Sequence, residues 1–260
     1  MLQKLLLTLA VFLSAWVSAQ NVEVIWKDSV SIDADNYYGK DALGYFYYSK
    51  NNVLYKQKQA EKWEYKNLSL GKIESVDLIN PLKILVFYKE FNAVVLLDNQ
   101  LSEIIKINLN RYNILAQTCS MASANRLWAY DNLSNQLMLI DYLNHKTTVL
   151  NQPFKNDFTF CQSDYNQWII VNSKREIVSY NNYGNSATLS TAPDFNKIYL
   201  TQKRDILFSL NDNLYLYKSV SKTSHQLFSD PKSIASFDYN NGILTLFTGK
   251  TIENYQILIR

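Results

Sequence analysis

The sequence contains few of the residues that build catalytic, metal and disulfide sites. It has two histidines, two cysteines, six glycines and four prolines in 260 residues. It has no G-x-S-x-G motif to place a nucleophilic serine, and neither histidine belongs to a cluster with metal-ligand spacing. We therefore expect a protein that is not an enzyme, with no catalytic residues, no metal and no cofactor.

Neither sign of charge predominates. Lysine and arginine total 26 against 23 acidic residues, so a chain without its first 19 residues, which contain one lysine, has a formal charge of 25 − 23 = +2. Such a balance favours neither a nucleic-acid partner nor an acidic tail.

Long hydrophobic runs are also missing after the N-terminus. There, Lys4 precedes an apolar run from Leu5 to Val17, and small residues follow at Ser18 and Ala19. This pattern predicts a secretory signal peptide over residues 1–19. The mature chain, residues 20–260, is then exported and contains no segment long enough to span a membrane directly.

What the mature chain does have is a repeat of about 40 residues. KILVFY (83–88) and AVVLLD (93–98) are apolar runs too short for helices, separated by a polar break. Equivalent first runs are centred on Phe46, Val86, Ala129, Ile170, Phe208 and Thr245, and second runs on Leu54, Val95, Met138, Val178, Tyr215 and Glu253. Six copies in a common register indicate a repeat fold.

Each copy also has a run before this hairpin and, in five copies, one after it. The leading run of the first copy is SIDAD (31–35). Four strands in about 40 residues, repeated six times, predict an all-β fold, a single six-bladed β-propeller domain. An irregular β-sandwich or a solenoid is the alternative. The sixth copy lacks a trailing run, so residues 22–30 (VEVIWKDSV) are expected to complete the last blade and close the ring.

Cys119 and Cys161 occupy nearly the same register in the leading strands of the third and fourth copies. Because disulfides persist in exported proteins, an inter-blade bridge is one interpretation. However, inner strands of neighbouring blades diverge, and a bridge needs a Cα separation under ~7 Å. The other interpretation is two buried small side chains.

Aromatic and basic residues recur in the loops expected on one side of the ring. Aromatic residues and arginine are typical of protein interfaces. We therefore predict a partner-binding face, although each ring could instead fold back over its own blade. The candidate residues are Phe91, Arg111, Tyr112, Phe154, Lys155, Phe195 and Lys232.

The segment INPLKILVFYKEFNAVVLLDNQLSEI (79–104) carries a resemblance to a known family. With the six-fold repeat, it resembles small exported six-bladed propellers of Gram-negative bacteria, and it is similar to a propeller-like accessory or plug subunit of the type IX secretion translocon. The resemblance implies a periplasmic protein that docks on an outer-membrane β-barrel. It implies no set of functional residues.

Two functional hypotheses follow. The favoured one is a non-catalytic interaction module of the cell envelope, periplasmic or associated with the outer membrane. It would bind a protein partner there and no nucleic acid, as an accessory subunit of an outer-membrane complex such as a secretion translocon. The alternative is a carbohydrate- or ligand-binding propeller, glycan-active if three or more acids with raised pKa values converge at the mouth of its channel.

Overall fold

The computed structural model describes residues 22–155 and 157–259, and the predicted signal peptide lies outside them. The described residues form six four-stranded antiparallel sheets arranged as the blades of a β-propeller. The first strand in the chain is β1 (Val22–Ser31). The first blade follows and contains β2 (Asn36–Lys40), β3 (Phe46–Lys50), β4 (Val53–Lys58) and β5 (Glu61–Tyr65).

The next three blades repeat this order from an inner to an outer strand. The second contains β6 (Ser75–Asp77), β7 (Ile84–Tyr88), β8 (Ala93–Leu97) and β9 (Glu103–Asn108), and a 3-10 helix, Leu109–Tyr112, leads out of it. The third contains β10 (Ala116–Ala122), β11 (Arg126–Asp131), β12 (Gln136–Asp141) and β13 (Lys146–Val149). The fourth contains β14 (Phe160–Ser163), β15 (Gln167–Val171), β16 (Glu176–Asn181) and β17 (Ser186–Thr191).

The last two blades differ in how they obtain their outer strand. The fifth contains β18 (Lys197–Leu200), β19 (Ile206–Leu210), β20 (Asn213–Lys218) and β21 (Thr223–Gln226), all consecutive. The sixth contains β22 (Ser236–Asn240), β23 (Ile243–Phe247) and β24 (Thr251–Ile259). Its outer strand is β1, which pairs antiparallel with β24 from Val22↔Ile259 to Ser31↔Thr251. The pairing expected of residues 22–30 is therefore present; that it is what closes the ring stays a prediction.

The hydrophobic core is divided among the wedges between neighbouring blades. Six clusters of buried side chains lie between blades one and two, two and three, and so on around to six and one. In the first blade, Tyr47 packs towards the second blade, whereas Phe46 and Tyr48 pack towards the sixth. Successive residues of a strand point to opposite faces, so a middle strand needs apolar residues at every position when both faces are covered.

One leading strand differs from its predicted position. The inner strand of the first blade is β2, not the SIDAD segment. Residues 33–35 form a polar turn instead, because the carboxylates of Asp33 and Asp35 bind the Lys50 ammonium at 2.7 and 3.1 Å. Asp35 also accepts the Asn51 N–H. The Asp35 N–H donates to the Ser49 carbonyl of β3, so β2 begins directly after this segment.

We define the loop face as the side of the ring with the turns between second and third strands and the linkers between blades. In blades two to six, a carbonyl of each such turn accepts an N–H from the chain that leaves the outer strand of the same blade. The acceptor carbonyls belong to Asn92, Asn135, Arg175, Asp212 and Lys250, with N–O distances of 2.7–3.0 Å.

Candidate interaction surface

One buried and one half-buried asparagine side chain, Asn92 and Asn52, fix the loop face of the first two blades. Asn92, in the β7–β8 turn, donates from Nδ2 to Asn110 Oδ1 at 2.6 Å and to the Ile114 carbonyl at 2.7 Å, and its Oδ1 accepts the Ala116 N–H at 3.0 Å. Asn52, in the β3–β4 turn, likewise bonds the Gly71 carbonyl and the Ile73 N–H. Both turns therefore hold the following linker in a defined position.

Asp131 has the same role in the third blade. One carboxylate oxygen accepts the N–H groups of Leu115 and Leu133, and the other accepts the Ser134 hydroxyl and N–H. Burial raises the pKa of Asp131, but the bonds from Ser134 and from Leu115 outweigh it, so the pKa lies below its usual value. The carboxylate thus stays ionised and joins the linker to the β11–β12 turn.

Large apolar side chains project from these ordered loops. Leu68 is 83% exposed, Leu133 67%, Phe91 52% and Leu115 45%. We call these four residues the apolar patch; they belong to consecutive linkers and turns of the first three blades. An added Cβ at Gly71 would lie 3.1 Å from the Phe91 ring, so Phe91 rests against the linker that contains Leu68. Large apolar side chains exposed on one side of a protein make that side a candidate interaction site.

The predicted partner-binding residues divide into two groups. Phe91, Arg111 and Lys155 are exposed, as a partner-binding role requires, and Phe91 belongs to the apolar patch. Sequence reasoning missed Leu68, Leu115 and Leu133. Leu68 and Leu133 each stand in an Asn-Leu-Ser tripeptide, so an apolar residue inside a turn motif was a signal that could have found them.

Phe154, Phe195 and Tyr112 are half-buried, as in the alternative that each ring folds back over its own blade; their partner-binding role stays a prediction. The Phe154 ring stacks on Tyr180 at 5.4 Å, and its carbonyl accepts the Tyr130 hydroxyl at 2.6 Å. Phe195 packs against the cluster between the fourth and fifth blades. Tyr112 packs between the second and third, with its hydroxyl 3.4 Å from His145 Nδ1. These rings fold over their own blades because the wedge offers more apolar contact than solvent does.

Lys232 is also held within the structure. Its ammonium contacts Glu253 Oε2 at 3.1 Å and the Tyr255 hydroxyl at 2.8 Å, and it lies 5.2 Å from the centroid of the Phe228 ring. Burial lowers the pKa of Lys232, but the bonds to Tyr255 and Glu253 raise it by more than burial lowers it. The pKa therefore lies above its usual value. The side chain therefore has charged and aromatic partners within its own blade, and its partner-binding role stays a prediction.

Cys119 and Cys161 are free thiols, which corrects the disulfide interpretation. Cys119 packs in the wedge between the second and third blades, whereas Cys161 packs in the wedge between the third and fourth. Their side chains thus lie on opposite faces of one blade. Burial raises the pKa of the Cys161 thiol to about 11 and that of Cys119 as well, so both are poor nucleophiles.

The inner strands surround a central cavity of about 1720 Å³. Polar side chains on its wall join neighbouring blades. Asp77 accepts the Met121 N–H at 2.7 Å, Ser163 donates to Ser120 at 2.7 Å, and Gln162 bonds both the N–H and the carbonyl of Leu200. These groups already have structural partners.

Two carboxyls on the cavity wall have raised pKa values. Burial raises the pKa of Asp77, although the Ile79 and Met121 N–H groups oppose the shift. Burial raises that of Asp238 to about 6, opposed by the Tyr37 hydroxyl, 2.7 Å away, and by Lys40. Each carboxyl is engaged in joining two blades. The alternative hypothesis required three or more converging acids with raised pKa values, and these two carboxyls are each bonded to a neighbouring blade, so that hypothesis stays a prediction.

The described residues contain no group of three or more His, Cys, Asp or Glu side chains that could hold a metal ion. Over the same ranges, no helix is long and apolar enough to cross a membrane.

The chain is similar in fold to solved β-propellers. No protein-family model and no curated protein matches it. A catalytically inactive virginiamycin B lyase from Staphylococcus aureus with quinupristin is 9% identical, with a TM-score of 0.60 over 92% of this chain and 100% of that one. The propeller domain of Swd1 (Cps50) from Myceliophteria thermophila is 9% identical, with a TM-score of 0.58 over 90% and 100%. BBS1N in complex with ARL6DN is 9% identical, with a TM-score of 0.54 over 82% and 74%.

Because these structures share only 9% of their residues with this chain, the similarity shows the fold and not the function. None of these three structures is named as a type IX secretion subunit, so that resemblance remains a prediction.

Proposed function

We propose that this chain is a non-catalytic interaction module of the cell envelope that binds a protein partner through the apolar patch. The partner is an outer-membrane complex, such as a secretion translocon, of which the chain is a periplasmic accessory subunit. The observation that carries the proposal is the exposure of Leu68, Phe91, Leu115 and Leu133 on loops held by buried hydrogen bonds.

Preorganisation supports binding through this surface. Ordering flexible loops at an interface costs free energy that reduces affinity. Here Asn52, Asn92 and Asp131 already fix the loops, so that cost is small. A standard protein interface buries about 800 Å² on each partner, and the loop face of three blades can supply such an area.

The basic residue Arg111 adds polar specificity at the edge of this surface. It is exposed in the 3-10 helix that follows β9, and the same linker contains Leu115. An interface with an apolar centre and a polar rim is the common arrangement of stable complexes.

Fold does not decide between an enzyme and a binding protein, because the similar structures include both a lyase and BBS1N bound to ARL6DN. What favours binding is the state of the acids in the cavity. Asp77 accepts two backbone N–H groups, and Asp238 accepts the Tyr37 hydroxyl, so each carboxyl has a structural role in joining two blades.

The test is capture of partners from detergent-solubilised envelopes of the host with tagged full-length chains. The patch variant combines Phe91→Ala and Leu133→Ser. The matched control combines Leu82→Ser and Val220→Ser, which are 63% and 93% exposed in hairpins on the opposite face of the ring. We expect an outer-membrane protein to be captured by the wild type and the control, and at least tenfold less by the patch variant.

Equal capture by the two variants would refute the assignment of the patch. Capture of no envelope protein by the wild type, repeated after mild cross-linking, would refute the interaction module itself.

A further inference from the structure

Each of the first five blades presents one large apolar side chain on the side of the ring opposite the loop face. We call this side the hairpin face; it carries the turns between first and second strands and between third and fourth strands. The five side chains, which we call the apolar tips, lie in these turns and are 49–93% exposed. The apolar tips are Leu43, Leu82, Leu143, Tyr183 and Val220.

Four of the apolar tips lie in turns that are built in the same way. In each of these turns, an Asp or Asn side-chain oxygen accepts the N–H of the apolar residue two positions later, at 2.9–3.2 Å. The pairs are Asp41 with Leu43, Asn80 with Leu82, Asp141 with Leu143 and Asn181 with Tyr183. Because the construction recurs in four blades, the exposed apolar residue is a repeated feature of this face and not a property of one loop.

The fifth tip, Val220, lies beside a group of exposed cations. Its turn ends at Lys222, and the neighbouring β18–β19 turn contains Lys203 and Arg204. The Ser219 hydroxyl donates to the Arg204 carbonyl and so joins the two turns. All three cationic residues are exposed, and within the described residues none of their side chains takes part in a hydrogen bond or an ion pair.

The acidic side chains of the hairpin face, in contrast, have partners of their own. Asp205 is buried and pairs with Lys218, and Glu61 and Glu103 each accept a tyrosine hydroxyl. Four further carboxylates each accept two backbone N–H groups of their own turns: Asp41, Asp98, Asp141 and Asp164. The three cations of the fifth blade are therefore available to an anionic partner.

A lipid surface fits this arrangement better than a protein partner does. The apolar tips are spread one per blade around the ring, whereas the residues that supply most of the binding energy of a protein interface cluster near its centre. A flat lipid surface meets separated tips at the same time, because each apolar side chain enters the headgroup region by itself. Cations beside a tip add electrostatic attraction when the headgroups are anionic.

We propose that the hairpin face docks on the surface of a bilayer that contains anionic lipid. The apolar tips enter the boundary between headgroups and acyl chains, and Lys203, Arg204 and Lys222 contact lipid phosphates. The apolar patch lies on the opposite side of the ring and stays free for a protein partner, so this inference does not depend on the proposed function.

Flotation with vesicles of phosphatidylcholine, with or without about 30% phosphatidylglycerol, tests the proposal. The chain used is residues 20–260, which contains all six blades and lacks the apolar run of the predicted signal peptide. We expect binding to the anionic vesicles to be at least tenfold stronger than to the neutral ones, since each Lys or Arg near an anionic surface contributes about fivefold. Raising NaCl from about 0.05 M to about 0.5 M should weaken binding at least tenfold, because salt screens exposed charges.

One variant removes two apolar tips and has a matched control on the other face. Leu82→Ser with Val220→Ser is expected to bind anionic vesicles at least tenfold more weakly than the wild type. The control, Leu68→Ser with Leu133→Ser, removes two leucines of similar exposure from the loop face and should bind as the wild type does.

A second variant removes the charges and keeps every apolar tip. Lys203→Gln, Arg204→Gln and Lys222→Gln together should reduce binding to the level seen with neutral vesicles. All the substituted residues are exposed in turns, and unchanged thermal melting by circular dichroism will show that a loss of binding is not a loss of folding.

Absence of wild-type binding to the anionic vesicles would overturn the proposal, and so would an equal loss in the loop-face control. Equal binding to neutral and anionic vesicles would refute the role of the three cations. Loss of partner capture by Leu82→Ser with Val220→Ser in detergent extracts, where no bilayer is present, would instead assign the hairpin face to a protein.

Discussion

Replacing Asp238 by asparagine should change how the stability of the protein depends on pH. Asp238 lies on β22, the inner strand of the sixth blade, and accepts the hydroxyl of Tyr37 on β2, the inner strand of the first. Its pKa is raised from 3.8 to about 6, mainly by burial. The folded state therefore holds the proton more tightly than the unfolded state does.

The sign and size of the effect follow from this difference. A group whose pKa is raised on folding favours the folded state at low pH, and the benefit is lost as pH rises from about 4 to about 6. Two pKa units correspond to about 3 kcal/mol at 1.36 kcal/mol per unit. Asparagine keeps an acceptor for Tyr37 and has no proton to lose, so this loss should not occur in the variant.

Urea unfolding followed by tryptophan fluorescence, at intervals from pH 4 to pH 8, measures the effect. The free energy of unfolding of Asp238→Asn, relative to the wild type, should rise by about 3 kcal/mol between pH 4 and pH 7.5. Other carboxyls titrate in both proteins and cancel in the comparison. Tyr37→Phe is the companion variant: it removes a bond that lowers the pKa of Asp238, and should therefore steepen the pH dependence.

A difference between Asp238→Asn and the wild type that stays constant across this range would show that the carboxyl does not titrate with a raised pKa. If Asp238→Asn instead became less stable relative to the wild type as pH rises, the negative charge of Asp238 would stabilise the fold. Its attraction to Lys40 would then outweigh the cost of burying the charge.

Three further predictions concern stability. A chain without residues 1–31 should melt at least 10 °C below a chain without residues 1–21, because β24 then has an open edge; equal melting temperatures by circular dichroism would mean that β1 does not close the ring. Phe154→Ala should cost about 3 kcal/mol in urea unfolding because it removes a ring packed on Tyr180, and a cost under about 0.5 kcal/mol would contradict that packing. Asn92→Ala should cost about 2–3 kcal/mol because three buried hydrogen bonds are lost, whereas the exposed Asn144→Ala should cost under about 0.5 kcal/mol.

The six-bladed architecture could be predicted from the sequence because side chains of the middle strands pack into the wedges on both faces of a blade. Coverage on both faces requires short continuous apolar runs, and such runs stand out at Val86 in β7 and Val95 in β8, where whole strands are buried. The inner strands were harder to place. β2 reads NYYGK and lines a polar cavity on one side, so its apolar signal is weaker than that of β3.

The candidate surface was only partly predictable, because the exposure of an aromatic side chain in a loop depends on whether another blade places apolar side chains next to it. Phe91 and Phe154 both lie in loops beside a charged residue, Glu90 and Lys155, yet Phe91 stays exposed while Phe154 packs on Tyr180. The neighbour comes from the next blade, about 26 residues away in sequence. A contact between residues so far apart in sequence depends on how neighbouring blades pack. A local sequence pattern does not contain that information.

In blades two to six, a backbone carbonyl in the turn between the second and third strands accepts an N–H from the departing chain, and this bears on how the protein could have diverged. The acceptor is a backbone carbonyl, at Asn92, Asn135 and Arg175 alike, so the bond does not require a particular side chain in either segment. Linker sequences can therefore change freely while the spacing of the repeat persists. This freedom lets selection remodel the surface of one blade without altering the geometry of the next.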